Sequence, residues 1–401
     1  MTTSVPDNRA DVTYYNLTLS SATVNDIGNP YGYDNPVAAN IVNSTDPILY
    51  NPNEYYGMIS RLQFSGYAIP LIQYIVQTPV LDINKGIYSF TLSYGGTDST
   101  QEFYAFQPQL LSPAIPVPPV GTATQQYGEY YFIYDFTWLA RIIQECMDRA
   151  FTNLQAAVAP ALNTCKRPLF RFNSDNGRYQ MLLDPAFFDS ALPTPVQVWW
   201  NAPSYVYFEG FGYNNYTYNS PNGKDNLMYI PPYQPGLNSI TITGGPDAGT
   251  YISIEQQYVS LEYMSPLKSI QVVTRMAVRN EQFNIANSKS GSTIDYRPIV
   301  TDFLPDISQP VPGISGYKFT YNATSFTRVF DMLQRSPLLQ ISAELFWTDF
   351  LGNRYPLVNP KGVNAEVKYQ FIRKDSSILG NMVAEKSLGS TLEQFSGKGR
   401  R

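Results

Sequence analysis

Along most of the chain, apolar and polar positions alternate with a period of two, the pattern of strands with one buried face. It predicts strands at Tyr14–Ser20 (YYNLTLS), Tyr55–Phe64 (YYGMISRLQF), Tyr67–Val76 and Ile87–Tyr94 (IYSFTLSY). Gly95-Gly96 closes the last of these with a turn, and Pro70 makes the third an edge or a bend, because proline donates no ladder hydrogen bond. Leu169–Phe172 and Arg178–Leu183 flank Asn176-Gly177, a hairpin signal. Further strands follow at Val196–Trp200, Ser239–Thr243, Thr250–Ser253, Tyr258–Glu262, Ser269–Val278 and Tyr317–Tyr321. Near the end, Leu338–Trp347 (LLQISAELFW) runs into a turn over Asp349–Asn353, and Val363–Ile372 (VNAEVKYQFI) alternates up to Arg373-Lys374. Short strands separated by Gly, Pro and Asn predict an all-β antiparallel sandwich.

One stretch departs from this period. Within Phe136–Val158, Leu139, Ile142, Ile143, Cys146, Met147, Ala150, Leu154 and Val158 share a stripe at helical spacing. Arg141, Gln144, Glu145, Asp148 and Gln155 point away from it, so this is a long amphipathic helix, ended by Pro160. It follows 106–121, where five prolines predict an extended crossing of a surface. Ser325 reads as the cap of a short second helix over Phe326–Gln334, stopped before Pro337. Residues 1–12 are polar and 375–401 are rich in Gly and Ser, which reads as a flexible arm and a flexible tail.

The absence of histidine from all 401 residues changes the functional picture most. It excludes Ser-His-Asp and Cys-His nucleophile pairs, and with them His-ligated zinc, copper and iron. The acids form no close pair on facing strands, and no P-loop, dinucleotide or GxSxG pattern occurs. Glu209 is the one carboxylate in a sugar-site-like setting. Asn173–Gly177 lacks the carboxylate spacing of a calcium loop and reads as a turn, and Cys146 and Cys165 read as two reduced thiols. These observations predict a chain that is not an enzyme and takes no cofactor and no metal. No apolar run has the form of a signal peptide or the length of a membrane span, which predicts a soluble intracellular product.

Only 15% of the residues are charged, while Tyr 32, Phe 22 and Trp 4 make the chain rich in aromatics, a composition suited to extensive interfaces. Between Tyr205 and Tyr233, the residues Tyr205, Tyr207, Tyr213, Tyr216 and Tyr218 stand among Gly and Asn. Tyrosine offers a wide amphipathic area with few torsions to freeze, so these five are the candidate interface residues. They can serve another subunit, a sugar, or nothing but the chain's own core. The net charge of −5 is unevenly spread, with +4 from Lys361 to Arg401 and −9 over the rest. Lys398, Arg400 and Arg401, at the basic end, are candidates for non-specific phosphate contacts with DNA.

Three segments carry a family likeness. Ile48-Leu-Tyr-Asn51-Pro52-Asn53-Glu54-Tyr55-Tyr56 leads into a strand, and Trp199-Trp200-Asn201-Ala202-Pro203 ends one. Phe346-Trp347-Thr-Asp349-Phe-Leu-Gly352-Asn353-Arg-Tyr355-Pro356-Leu357 precedes a Gly362-containing turn and a strand with a basic end. In this order, over 14–374, they resemble the minor capsid (penton) proteins of virophages, Polintons and Polinton-like viruses. The resemblance implies a jelly roll that forms homopentamers at the five-fold vertices of an icosahedral double-stranded DNA capsid. It implies double-jelly-roll major capsid trimers as neighbours, packaged DNA within reach of the basic tail, and no catalytic residues to carry over. Its place would be the virion, after synthesis in the host cytoplasm or a virus factory. On this mapping 13–105 supply the N-terminal strands of the roll and 251–374 the C-terminal ones. Residues 106–250 form an insertion holding the helix 136–158 and the tyrosine-rich loops. The alternative is a β-sandwich adhesin or fibre protein that grips carbohydrate with those loops.

Overall fold

A computed structural model describes residues 12–19, 38–42, 46–66, 69–75, 77, 86–107, 130–216, 220–259, 264–279, 298–304, 318–323, 328–350, 354–357 and 364–375. The expected arm, most of the tail, the proline-rich 108–121, the Ser325 cap and the loop 288–292 lie outside these residues. The chain divides into two units. One draws on Met1–Ala68, Leu267–Pro305 and Lys318–Arg401, the other on Ile69–Pro266 and Asp306–Tyr317.

The first unit is built on eight strands in two antiparallel sheets. In chain order they are Val12–Leu19, Ala38–Val42, Tyr55–Ser65, Leu267–Val273, Ile299–Phe303, a sixth in two pieces (Lys318–Asn322 and Phe330–Met332), Gln340–Asp349 and Ala365–Arg373. One sheet runs first-eighth-third-sixth and the other fifth-fourth-seventh-second. Successive strands cross between the sheets except the fourth and fifth, which pair with each other, the double Greek key of a jelly roll. The third strand is central: the eighth pairs with it along one side, and both pieces of the sixth share the other. A register shift against the eighth strand puts Ile59 and Leu62 opposite Tyr369 and Val367, and with Phe64 all of these are buried. Tyr369 spans the gap between the sheets, donating its hydroxyl to the Ser342 carbonyl at 3.1 Å. Burial holds that phenol well above its usual titration range.

Four expectations differ here. The helix over Phe326–Gln334 is a strand at Phe330–Met332, paired with Tyr56–Gly57 on one side and Val278–Arg279 on the other. Phe330 and Met332 are buried with Asp331 between them, so a period-two pattern overrides the local cap signal. The partner contributes Gly57, whose missing side chain leaves the space that the Phe330 ring occupies. The strand expected over Ser269–Val278 breaks after Val273, where the Thr274 hydroxyl donates to Ser342 O (2.9 Å) and accepts from Met276 N (3.1 Å). Val278–Arg279 then joins the other sheet, so the break is a corner. Tyr258 and Val259 are outside any strand. Ala38–Val42, an edge of the second sheet, falls in a stretch that reads as loop.

Between the third and fourth strands the chain forms the second unit. Ser89–Tyr94 and Gly249–Glu255 pair within it, so the roll's strands stop at Ser65 and resume at Leu267, against 105 and 251 on the sequence mapping. Alternation marks a strand but does not name its sheet. One sheet has the order Tyr213–Tyr216, Asn226–Met228, Gln197–Trp200, Ser89–Tyr94, edged by Thr97–Asp98 and Glu102–Phe103. Gly95 and Gly96 adopt φ of 58° and 84° in the two-residue turn to Thr97, a left-handed pair that glycine takes without strain. A second sheet runs Ser239–Ile242, Gly249–Glu255, Arg178–Leu183, Leu169–Asn173, and Ile72–Ile75 pairs with Tyr130–Ile133 in a two-stranded third.

The helix occupies Phe136–Val158 as its periodicity predicts. Asp135 caps it by accepting from Thr137 N at 2.7 Å, and its apolar stripe packs on Leu169–Asn173 and Ser89–Tyr94. Arg167 ties the helix to the hairpin turn, bidentate to Asp247 at 2.9 Å and bonded to Asp148 at 2.8 Å. The Arg167 hydrogen bonds pull the Asp247 carboxyl below its usual value, whereas burial raises that of Asp148. Asp247 therefore contributes stability above the ordinary carboxylate range and loses it as pH falls through its lowered value; Asp148 acts in the opposite sense. Asp247→Asn is expected to reduce the fall in melting temperature between about pH 5 and pH 2, measured by a thermal scan at each pH. An unchanged acid profile would remove this pair from the account.

Candidate functional site

The tyrosine-rich segment is more structured than loops. Asn201 caps a helix over Ala202–Phe208, accepting from Ser204 N at 3.2 Å, and Pro203 sits in the first turn. The same Asn201 oxygen accepts from Ser89 N (3.0 Å) and Ser204 Oγ (2.7 Å), while its amide donates to Ile87 O (2.6 Å). Asp225 adds bonds from Ala202 N (2.8 Å) and Ser220 N (2.6 Å). These buried polar groups fix the helix to the end of the Ser89–Tyr94 strand.

That placement decides what the candidate tyrosines touch. Tyr207 stacks on Tyr88 with centroids 5.2 Å apart and donates to the Gln73 carbonyl at 2.7 Å. Tyr88 donates to that carbonyl at 3.3 Å, and burial raises both phenols. Tyr205 meets Tyr213 edge to face at 4.8 Å, and Tyr213 donates to Phe208 O at 3.0 Å. Tyr205, Tyr207 and Tyr213 are half-buried within the second unit, where Tyr205 and Tyr213 come together and Tyr207 packs on Tyr88 instead. Tyr216 belongs to the strand Tyr213–Tyr216, with its side chain outside the described residues, and Tyr218, Lys398, Arg400 and Arg401 lie outside them altogether. Glu209 sits at the C-terminal end of the short helix, half-buried.

Among the described residues, no group of three or more His, Cys, Asp and Glu is placed to hold a metal ion. Both cysteines are free and buried, and burial pushes their thiols well above the ordinary value. What the surface does present is isolated large apolar side chains. In the first unit Tyr50, Leu304, Leu333 and Phe350 are exposed, and in the second Val206, Tyr229, Leu237 and Tyr258. Sequence reasoning missed these, because exposure of a lone Leu or Phe follows from its sheet partner and leaves no periodic signal. The helix at Ala202 was also missed, in a stretch read as loop, although Asn201-Ala-Pro203, an N-cap followed by proline, could have marked it.

The described residues thus form a two-sheet jelly roll bearing a large insertion. A family model described as Sputnik minor capsid protein V18/19 matches residues 13–373. The chain belongs to that family. It is 26% identical over 220 residues to "Structural protein V19" of Sputnik virophage, which covers 54% of this chain and 98% of that protein. It is 38% identical over 118 residues to "Uncharacterized protein V18" of the same virophage, covering 28% and 71%. Among solved structures, a chain in the cryo-EM structure of the Sputnik virophage superposes with a TM-score of 0.70 at 25% identity, over 91% of this chain and 99% of that one. The mavirus penton protein superposes at 0.52 and 14% identity, over 90% and 99%, a likeness of fold alone.

This minor capsid protein is a non-enzymatic component of a virion that assembles with other capsid proteins. The matched proteins described above include no carbohydrate-binding adhesin or fibre protein. No helix among the described residues is long and apolar enough to cross a membrane.

Proposed function

We propose that this chain forms the homopentameric vertex of an icosahedral double-stranded DNA capsid, flanked by double-jelly-roll major capsid trimers. The observation that carries the reading is the near-complete match of its two-unit chain to one in the Sputnik virophage; the penton protein of mavirus, which shares the fold, supports it. A closed ring is heterologous, so each subunit must offer two different complementary patches. Both units expose large apolar side chains that such patches would bury, Phe350 and Leu237 most of all at 67% and 79%. Tyr205, Tyr207, Tyr213, Tyr216 and Tyr218 would contribute to the contact. Lys398, Arg400 and Arg401 would approach packaged DNA through its phosphates, without base readout. Synthesis would take place in the host cytoplasm or a virus factory.

Sedimentation of the purified chain tests the ring. The expected species has five times the 45.1 kDa mass of the chain, alone or once the major capsid protein is added. A monomer that persists at high concentration with that protein present contradicts the vertex role.

A further inference from the structure

Where the seventh strand of the roll begins, a surface groove of about 490 Å³ opens. Pro47, Met276, Pro337 and Leu339 give it apolar walls, and Arg275 and Ser336 stand among its polar lining. The walls are pinned by main-chain bonds: Ile48 N to Leu338 O and Leu338 N to Leu49 O, both 2.7 Å, and Leu333 N to Ala277 O at 3.0 Å. The groove is thus formed in advance, and an occupant need not order it.

Its charge is one-sided. The Arg275 guanidinium is held by Nε and Nη2 against one oxygen of Glu344, each at 2.7 Å, with the Glu344 side chain 5% exposed and that of Arg275 68% exposed. A buried carboxylate therefore fixes the arginine while its remaining N–H groups stay available. Arg335 is exposed between the lining residues Gln334 and Ser336. No carboxylate lines the groove among the described residues, and no aromatic ring is there to stack a base. The Arg275 guanidinium beside aliphatic and proline walls, with Arg335 exposed on the segment that supplies Gln334 and Ser336, complements a peptide that carries carboxylates next to aliphatic side chains.

We propose that this groove receives an extended acidic segment of a neighbouring capsid protein. The inference goes beyond the ring and does not depend on its copy number. It is tested with an array of hexapeptides that combine Asp or Glu with Leu, Ile and Pro, beside twins in which Asn and Gln replace the acids, probed with the full chain. The acidic peptides are expected to bind about tenfold tighter than their twins, as a charge-assisted bond implies. Arg335→Glu should erase that preference, Leu339→Ser should weaken both sets, and both exposed positions should leave the melting temperature unchanged. Arg275 is left in place, because its loss would strand the buried Glu344. Equal binding of acidic and neutral peptides, or a preference that survives Arg335→Glu, overturns the proposal. So does a poly-thymidine oligonucleotide that displaces the acidic peptides with the same dependence on Arg335, which would assign the groove to nucleic acid.

Discussion

Trp200→Ala is expected to destabilise the protein by about 3–5 kcal/mol, the usual cost of emptying a buried aromatic site. The indole is fully buried among aromatic rings, with centroids 5.0 Å from Phe208, 5.3 Å from Phe90 and 6.0 Å from Phe170. Phe170 and Phe208 in turn pack on Tyr179, so the cavity would lie at the centre of the second unit's core and have little room to collapse. Trp200→Phe should cost far less, about 1–2 kcal/mol, because it keeps a ring and the indole N–H has no hydrogen-bond partner to lose among the described residues. Denaturant midpoints of the two variants check this. A loss below about 1 kcal/mol for the alanine variant would mean that the core lies elsewhere.

Asn201→Ala removes polar contacts from the same region, with an expected cost of about 2–4 kcal/mol. The side chain caps the helix at Ala202, satisfies Ser89 N–H and supplies the proton accepted by the Ile87 carbonyl. Alanine leaves those buried groups without it. Asn201→Asp keeps the acceptor and loses the donor, setting a carboxylate against the Ile87 carbonyl, so its loss should be intermediate in an acid-to-neutral series and smallest at low pH. Hydrogen exchange at the Ser89 amide gives a local reading. Protection unchanged in the alanine variant would show that the hub does not hold this strand end.

How far the sequence reveals this molecule depends on which physical rule governs each part. The helix was legible to the residue, because a stripe from Leu139 to Leu154 needs only local spacing and Pro160 closes it. The turn at Gly95-Gly96 and the hairpin at Asn176-Gly177 were legible for the same reason: each is specified by two adjacent residues. The first piece of the sixth strand was legible at Tyr317–Tyr321, whereas the second, Phe330–Met332, was hidden, since Ser325 reads as a cap in the sequence and the decisive fact is the space at Gly57, far away in sequence. Membership of sheets was hidden as well. Ser89–Tyr94 alternates like a roll strand, yet its partners are Gln197–Trp200 and the two short strands after it. The tyrosine-rich segment showed its aromatic content but not that Tyr205 and Tyr213 turn to each other and Tyr207 to Tyr88 and Gln73. The groove beside Arg275 has no sequence signature, because it is assembled from three separated stretches around 47, 275 and 338.

The most direct test of the vertex assignment is a cryo-EM reconstruction of the assembled virion at a resolution that traces strands. The account predicts density for this jelly roll and its insertion in five copies around each five-fold axis, bordered by major capsid trimers. A different protein at those axes, with this chain on the triangular faces or absent from the shell, would contradict it.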